Sequence, residues 1–212
     1  MFGIGVTALS VYDWQGADGR CGGSPHLHTL CAEAYVVVAG SGSVQTLTWE
    51  GFHETPLVPG AVVWFTPGTV HRLVNDGGLK IVVVMQNSGL PEAGDAVFTF
   101  PNAVLSGDYN RAAGMAPRWR RDLALEGFRQ LKEAGRPGFE KFLEHAVRIV
   151  GDRLDDFEDL WREGPLKAVE DTEKQLASLR RGDYDYLREA RIQEASGEPR
   201  DGMCGHLFTY PG

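Results

Sequence analysis

The sequence predicts a mainly β fold with an α-helical part: a β-sandwich or barrel over roughly the first half of the chain, then helices. Three observations carry this. Up to about residue 105, short runs rich in β-branched and aromatic residues alternate with Gly, Pro, Asn and Asp. From about residue 118 the apolar residues recur at helical spacing instead. No strand–helix–strand alternation occurs, which argues against a doubly wound parallel sheet.

Strands are expected at Gly3–Tyr12, Glu33–Ala39, Val44–Trp49, Ala61–Thr66, Arg72–Asn75, Leu79–Gln86 and Ala96–Phe100. Ser41-Gly42, Pro59-Gly60, Pro67-Gly68 and Asp76-Gly77-Gly78 are the turn signals between them. In the second half, Phe139, Phe142, Leu143, Ala146, Val147 and Val150 form one helical stripe, with Gly151 expected as its C′ residue. Leu154, Phe157, Leu160 and Trp161 repeat the pattern behind Asp152, a candidate N-cap. Gly164-Pro165 is expected to separate them from Leu166, Val169, Leu176 and Leu179, and a further short helix to run from Asp183 towards Ile192. The division is therefore residues 1–105 as a barrel, 106–117 as a linker, 118–195 as a helical extension and 196–212 as a tail. The extension packs on the barrel, as scaffold or as a lid over its mouth, or on a partner subunit. The tail, with strand character from His206 to Tyr210, is expected to return to the barrel edge.

The chain of 212 residues has 21 Lys+Arg against 29 Asp+Glu, a formal net charge of −8. No basic patch stands out to neutralise phosphates, so a nucleic-acid partner is not expected. The short run Arg118–Arg121 reads as a solvated helix start. No apolar run approaches the ~20 residues of a membrane-spanning helix. Met1-Phe2-Gly3-Ile4-Gly5 lacks the basic start and apolar core of a signal peptide. Cys21, Cys31 and Cys204 are too few and odd in number for a disulfide framework. A reduced, cytoplasmic protein without a membrane partner is the expectation.

The chemistry concentrates in Pro25-His26-Leu27-His28-Thr29-Leu30-Cys31-Ala32-Glu33 and in His71. On a strand, His26 and His28 share one face. Glu33 can join that face from the next strand after a turn around Leu30–Ala32. Three imidazoles and one carboxylate make a site for one divalent transition metal; these donors suit Fe, Mn, Ni or Zn and do not choose among them. The alternative is that the histidines are ordinary core residues of the strands. Tyr35, two residues after Glu33, should share the inward face, as substrate contact or barrel filler. Gln86 is a further candidate near the barrel mouth, or a turn residue. Cys31 could reach the site edge, or be inert packing. His53, His145 and His206 lie outside this spacing and receive no role.

At these residues the sequence resembles the cupin superfamily. Its first motif, Gly-x5-His-x-His-x3–4-Glu-x6-Gly, is matched from His26 through His28 and Glu33 to Gly40, with Arg20 in place of the opening glycine. Its second, Gly-x5-Pro-x-Gly-x2-His-x3-Asn, is matched by Gly60, Gly68, His71 and Asn75, with the proline moved to Pro67. Both departures fall on loop-shaping positions and leave His26, His28, Glu33 and His71 in place. The resemblance covers roughly residues 3–105 and implies a cupin-type double-stranded β-helix, a jelly-roll barrel.

It also implies those four residues as ligands of one metal per chain, a small-molecule ligand or substrate, and a homodimer, which the apolar stripes also call for. Cupins with this ligand set include dioxygenases, isomerases, epimerases, decarboxylases and non-catalytic binding proteins. The expected function is a mononuclear metal enzyme acting on a small organic molecule, an Fe(II)-type oxygenase foremost. A non-redox isomerase or epimerase and a metabolite-binding cupin are the alternatives. A second-class reading as a helix-turn-helix regulator lacks a recognition helix.

Overall fold

β-Branched and aromatic runs form nine strands among the described residues of the computed structural model: β1 (Ile4–Val11), β2 (His26–His28), β3 (Glu33–Thr48), β4 (Gly51–Leu57), β5 (Val62–Phe65), β6 (Val70–Gln86), β7 (Ala96–Phe98), β8 (Glu198–Asp201) and β9 (Gly205–Tyr210). The described residues are 3–192, 194–195 and 197–210. Met1 and Phe2 of the expected barrel, Gln193 of the expected extension, and Ser196, Pro211 and Gly212 of the expected tail lie outside them.

The strand order is β4-β3-β6-β1-β9-β8, with β5 added to β3, and β2 joining β6 to β7. Two strands are far longer than the sequence suggests. Glu33–Ala39 and Val44–Trp49, expected as separate, are one strand, and so are Arg72–Asn75 and Leu79–Gln86. Near its start β3 pairs with β5 and the end of β6 (Glu33↔Phe65, Glu33↔Met85), and near its end with β4 and the start of β6 (Thr46↔His53, Thr46↔His71). Each long strand therefore runs through both sheets of the jelly roll and bends between them.

The glycines expected as turns mark that bend. The β3–β6 register shifts between Val37 and Gly42, the signature of bulges. Gly40 there has φ 76°, and a Cβ on it would lie 2.2 Å from the Gly78 carbonyl oxygen, so only glycine admits the approach. Asn75 pins the opposite strand: its Nδ2 donates to Val11 O (2.9 Å), and its Oδ1 accepts from Gly77 and Leu79 N–H, both at 3.0 Å. β4 was not expected, because Gly51-Phe52-His53-Glu54-Thr55-Pro56 is polar and holds a proline; it pairs only with β3, at an edge, where proline is tolerated.

The helices are α1 (Leu90–Ala93), α2 (Asn102–Ser106), α3 (Tyr109–Ala113), α4 (Pro117–Val150), α5 (Leu154–Trp161) and α6 (Lys167–Arg180). Residues 106–117, expected as a linker, thus hold the short helix α3. α4 is broken at Gly135, which has φ 60° and ψ −150°. The expected stops are not stops: Gly151 is right-handed and opens a 3₁₀ turn through Arg153, which takes the N-cap position expected for Asp152. Gly164-Pro165 lies inside a π-helical turn, residues 162–166, that carries α5 into α6. Continuous intrahelical hydrogen bonds outweigh these local signals. The segment after Asp183 is a 3₁₀ turn, Asp185–Glu189.

Two apolar clusters hold the molecule together. One fills the barrel with Leu9, Tyr35, Val44, Leu57, Leu73 and Ile81. The other packs α4 and α5 over β2 and β7, joining Leu27 and Val97 to Phe128, Phe139, Phe142 and Phe157. Each such side chain contributes about 1.5–3 kcal/mol on full burial. Val147 of the expected stripe is 69% exposed, and α6 buries no residue. The basic run at the start of α4 is not solvated throughout: Arg121 is buried and donates to Trp14 O (2.7 Å) and Gln15 O (2.9 Å). Arg118 lies over the Trp14 ring, 4.6 Å from its centroid. β9 pairs antiparallel with β1, so the C-terminal hairpin extends the sheet. Among the described residues no helix is long and apolar enough to cross a membrane.

Candidate metal centre

β2 is three residues long, and its alternation sorts its side chains. Leu27 turns outward into the helix-covered cluster, while His26 and His28 turn into the barrel. His26 is the direct cross-strand partner of His71 on β6. Glu33 opens β3 on the other sheet, after the Leu30–Ala32 turn, so the site lies between the two sheets. The four side chains are buried, and one ligand atom from each lies within 4.8 Å of all the others.

Each imidazole is held by an oxygen acceptor at Nδ1. His26 faces Ser24 O at 2.9 Å, His71 faces Thr69 O at 3.0 Å, and His28 faces the Asp95 carboxylate at 2.6 Å. This network assigns the proton to Nδ1 and leaves each Nε2 lone pair directed inward. His71 Nε2 is 3.1 Å and His28 Nε2 3.6 Å from Glu33 Oε2. With Nδ1 protonated, the 3.1 Å pair sets lone pair against lone pair, and both atoms are buried without a hydrogen-bond partner. A cation between them resolves the conflict. The residues therefore fit a metal ion.

The ionisation pattern agrees with the geometry. Burial, reinforced by His71 and His28, holds His26 well below its ordinary pKa, so it is a neutral ligand. Burial acts the same way on His28, but the Asp95 hydrogen bond and the Glu33 charge outweigh it and raise the pKa. Burial opposes ionisation of Glu33, yet the neighbouring His71 and His28 hold its carboxyl below the usual range. Asp95, fully buried, is lowered against its burial by the His28 hydrogen bond and charge. Its second oxygen accepts the Leu30 N–H at 3.2 Å, tying the β2–β3 turn to His28.

Residues 15–85, a third of the chain, match the family profile described as a cupin domain. That segment, the centre of the barrel, is a cupin domain. No curated protein matches this chain in sequence. Among solved structures it is similar to Pac13 of Streptomyces, described as a nucleoside dehydratase, at 16% identity over 46% of this chain and 68% of that one, with a TM-score of 0.36. A double-stranded β-helix protein from Klebsiella pneumoniae shares 18% identity over 42% of this chain and 71% of its own, TM-score 0.34. KdgF from Halomonas shares 20% over 32% and 59%, TM-score 0.29.

A cavity of about 290 Å³ opens from His26, His28 and Glu33, with His71 buried behind them, and is walled by Leu9, Val83, Met85 and Leu207 on its apolar side. A wider groove outside it shares Thr7, Met85, Pro91 and Arg200 and reaches Leu160 of α5. Tyr35 faces the cavity. Its buried hydroxyl has no partner of good hydrogen-bond geometry but lies beside Glu33, and burial with that charge pushes its pKa well up. Gln86 is not at the mouth: it is exposed, on the sheet face opposite Met85. Cys31 is buried outside the cavity, with Sγ 3.9 Å from Asn87 O. Cys204 does line the cavity. His145 pairs with Asn102 and His206 with Asp201, away from the ligands. Sequence reasoning missed Asp95, whose only signal is an acid set between Gly94 and the apolar run Ala96-Val97-Phe98. It also missed Arg120, which enters the cavity from α4.

Proposed function

We propose that His26, His28, Glu33 and His71 hold one divalent transition metal, and that this cupin is a mononuclear metal enzyme acting on a small organic molecule by Fe(II)-type oxygenation. The observation that carries the metal is the opposed pair of orphaned ligand atoms, His71 Nε2 and Glu33 Oε2. Bound there, iron would supply O₂ activation and would polarise a substrate beside it. The protein's own residues do the rest. The Nδ1 acceptors fix the imidazoles, and Leu9, Val83 and Leu207 keep water from the reacting groups.

Oxygenation is favoured over isomerisation by what the cavity lacks. Proton transfer at carbon needs a base besides the ligands. The two other carboxylates on the cavity wall are engaged: Glu92 with Arg200 at 3.2 Å and Asp201 with His206 at 2.7 Å. Tyr35, its pKa raised, stays protonated. The test is elemental analysis of untagged protein, followed by O₂-uptake assays of the iron-loaded protein over a panel of small organic acids, alcohols and sugars. Bound iron with substrate-dependent uptake supports the reading. Full turnover with zinc under anaerobic conditions selects the isomerase or epimerase instead, and a site that takes no metal leaves a metabolite-binding cupin.

We infer as well that the partner is a second copy of the chain. Trp64, Val62 and Val38, 74%, 53% and 53% exposed, share one outer sheet face with Val82, Val84 and Phe208. A two-fold interface joins a patch to itself. A chain of net charge −8 meets itself without repulsion only where the patch is uncharged, as this face is at its centre.

A further inference from the structure

Among the described residues one charged group on the cavity wall has no ion-pair partner. Arg120, on the first turn of α4, lines the same space as His26, His28 and Glu33. Its Nη1 donates to Ala113 O at 3.2 Å and its Nη2 to Gly202 O at 3.1 Å. The guanidinium lies over the Phe98 ring, Cζ 5.0 Å from the centroid. All of these partners are uncharged. Nε is buried with no acceptor, and two of the five N–H donors of a guanidinium are accounted for.

Four other arginines around the barrel are paired with carboxylates. Arg20 has Glu54, Arg121 has Asp122 and Arg200 has Glu92, at 2.7, 2.7 and 3.2 Å, and Arg72 has Asp18. Among the described residues no carboxylate lies within ion-pair distance of Arg120. Burial lowers its pKa from the ordinary value, yet an arginine stays charged. A half-buried cation held on a cavity wall by neutral groups, with no carboxylate in ion-pair contact, gains from the arrival of an anion.

We propose that Arg120 is the substrate's anion-binding residue: it takes a carboxylate of a small organic acid whose other end lies at the ligand cluster. The inference rests on the metal reading above and narrows its substrate class. The cavity of about 290 Å³ holds on the order of ten water-sized groups, the size of a small acid and not of a nucleotide or polymer. Asp201 on the same wall acts on Arg120, and Arg200 is already paired with Glu92, so a single negative charge is matched and a dianion is not. The helical extension thus supplies the group that selects what the barrel acts on.

The test uses the full chain loaded with cobalt(II), whose visible spectrum reports ligands at the site, titrated with propionate, propionamide and inorganic phosphate. Propionate perturbs the spectrum saturably, and the amide and phosphate bind at least about tenfold more weakly. Arg120→Gln keeps cobalt affinity and stoichiometry and loses propionate affinity roughly 10–100-fold, with partial recovery in Arg120→Lys. Equal binding of propionate and propionamide, tighter binding of phosphate, or unchanged propionate affinity in a folded Arg120→Gln overturns the proposal. Calorimetric titration of the metal-free protein with propionate separates the two readings. Arg120-dependent heat there supports the anion site even if cobalt does not bind, and its absence in both forms overturns it. Should Arg120→Gln not fold, the same comparison is read from Arg120→Lys, whose propionate affinity must fall.

Discussion

Replacing Asp95 with Asn tests whether the residues behind the ligands set the affinity of the site. Asp95 is fully buried, with one oxygen 2.6 Å from His28 Nδ1 and the other accepting the Leu30 N–H at 3.2 Å. Asn has the same shape, but one oxygen becomes an NH₂ that must face a donor, and the charge assisting both bonds is gone. A hydrogen bond to a charged group contributes about 1.5–3 kcal/mol. Removing the partner behind a ligating histidine typically weakens metal binding 10–100-fold, or about 1.4–2.8 kcal/mol. Zinc affinity, measured by competition with a chromophoric chelator, should fall by that factor while the stoichiometry stays at one ion per chain. The metal-free variant should also lose about 1–3 kcal/mol in urea denaturation. A change in zinc affinity under about threefold, below that range, in a variant destabilised as expected would refute the reasoning. His28 would then be aimed by β2 alone.

Four further outcomes follow. The raised pKa of His28 means that metal must displace its proton, so zinc affinity rises with pH through and above the ordinary histidine value of 6.5; a flat profile would contradict this. The metal-free protein has two opposed histidine contributions. His28, raised, stabilises below 6.5 and loses that effect as pH rises through its folded value, whereas His26, lowered, costs stability as pH falls below 6.5 because the unfolded chain takes a proton that the folded one refuses. Gly127 of α4 lies against the β7 exit, where a Cβ would sit 1.9 Å from Thr99 O. Gly127→Ala should therefore lower stability by about 1–3 kcal/mol in urea without changing metal stoichiometry. Trp64→Glu, on the exposed sheet face, should convert dimer to monomer in sedimentation velocity; an unchanged mass would place the partner elsewhere.

The sequence was most legible where chemistry and spacing coincide. His26, His28, Glu33 and His71 are brought together because a period-two strand and two Pro-Gly or Gly turns fix their directions locally. It was less legible where a local signal served a long-range purpose. Ser41-Gly42 and Gly77-Gly78 look like turns, but they lie where two strands touch while bending from one sheet into the other. Gly151 and Gly164-Pro165 look like helix stops, yet 3₁₀ and π turns carry the chain through. Arg121 looked like a solvated charge, because nothing within its helix reveals that the Trp14 and Gln15 carbonyls lie over it. Asp95 and Arg120 are 67 and 94 residues from His28 and His26. No spacing rule links them, and only the packed structure does.

That separation has a consequence for how the site acquires a chemistry. The ligands come from β2, β3 and β6, inside the segment that matches the cupin profile, residues 15–85. The residues that close the cavity come from outside it: Pro91 and Glu92 of α1, Arg120 of α4, and Arg200 to Leu207 of the C-terminal hairpin. The hairpin is held to the barrel by pairing of β9 with β1 and by the Tyr12 hydroxyl on Gly202 O, and to α4 by the Arg120 bond to the same oxygen. Moving α4 would therefore move the cation against that wall, while β2, β3 and β6 could keep their register. Metal affinity and substrate affinity should accordingly respond to different residues. Asp95→Asn ought to weaken the metal and Arg120→Gln the organic anion, each largely sparing the other. A double variant whose metal affinity differs from that of Asp95→Asn alone by more than about 0.5 kcal/mol would mean that α4 also sets the ligands, and the division drawn between barrel and extension would have to be given up.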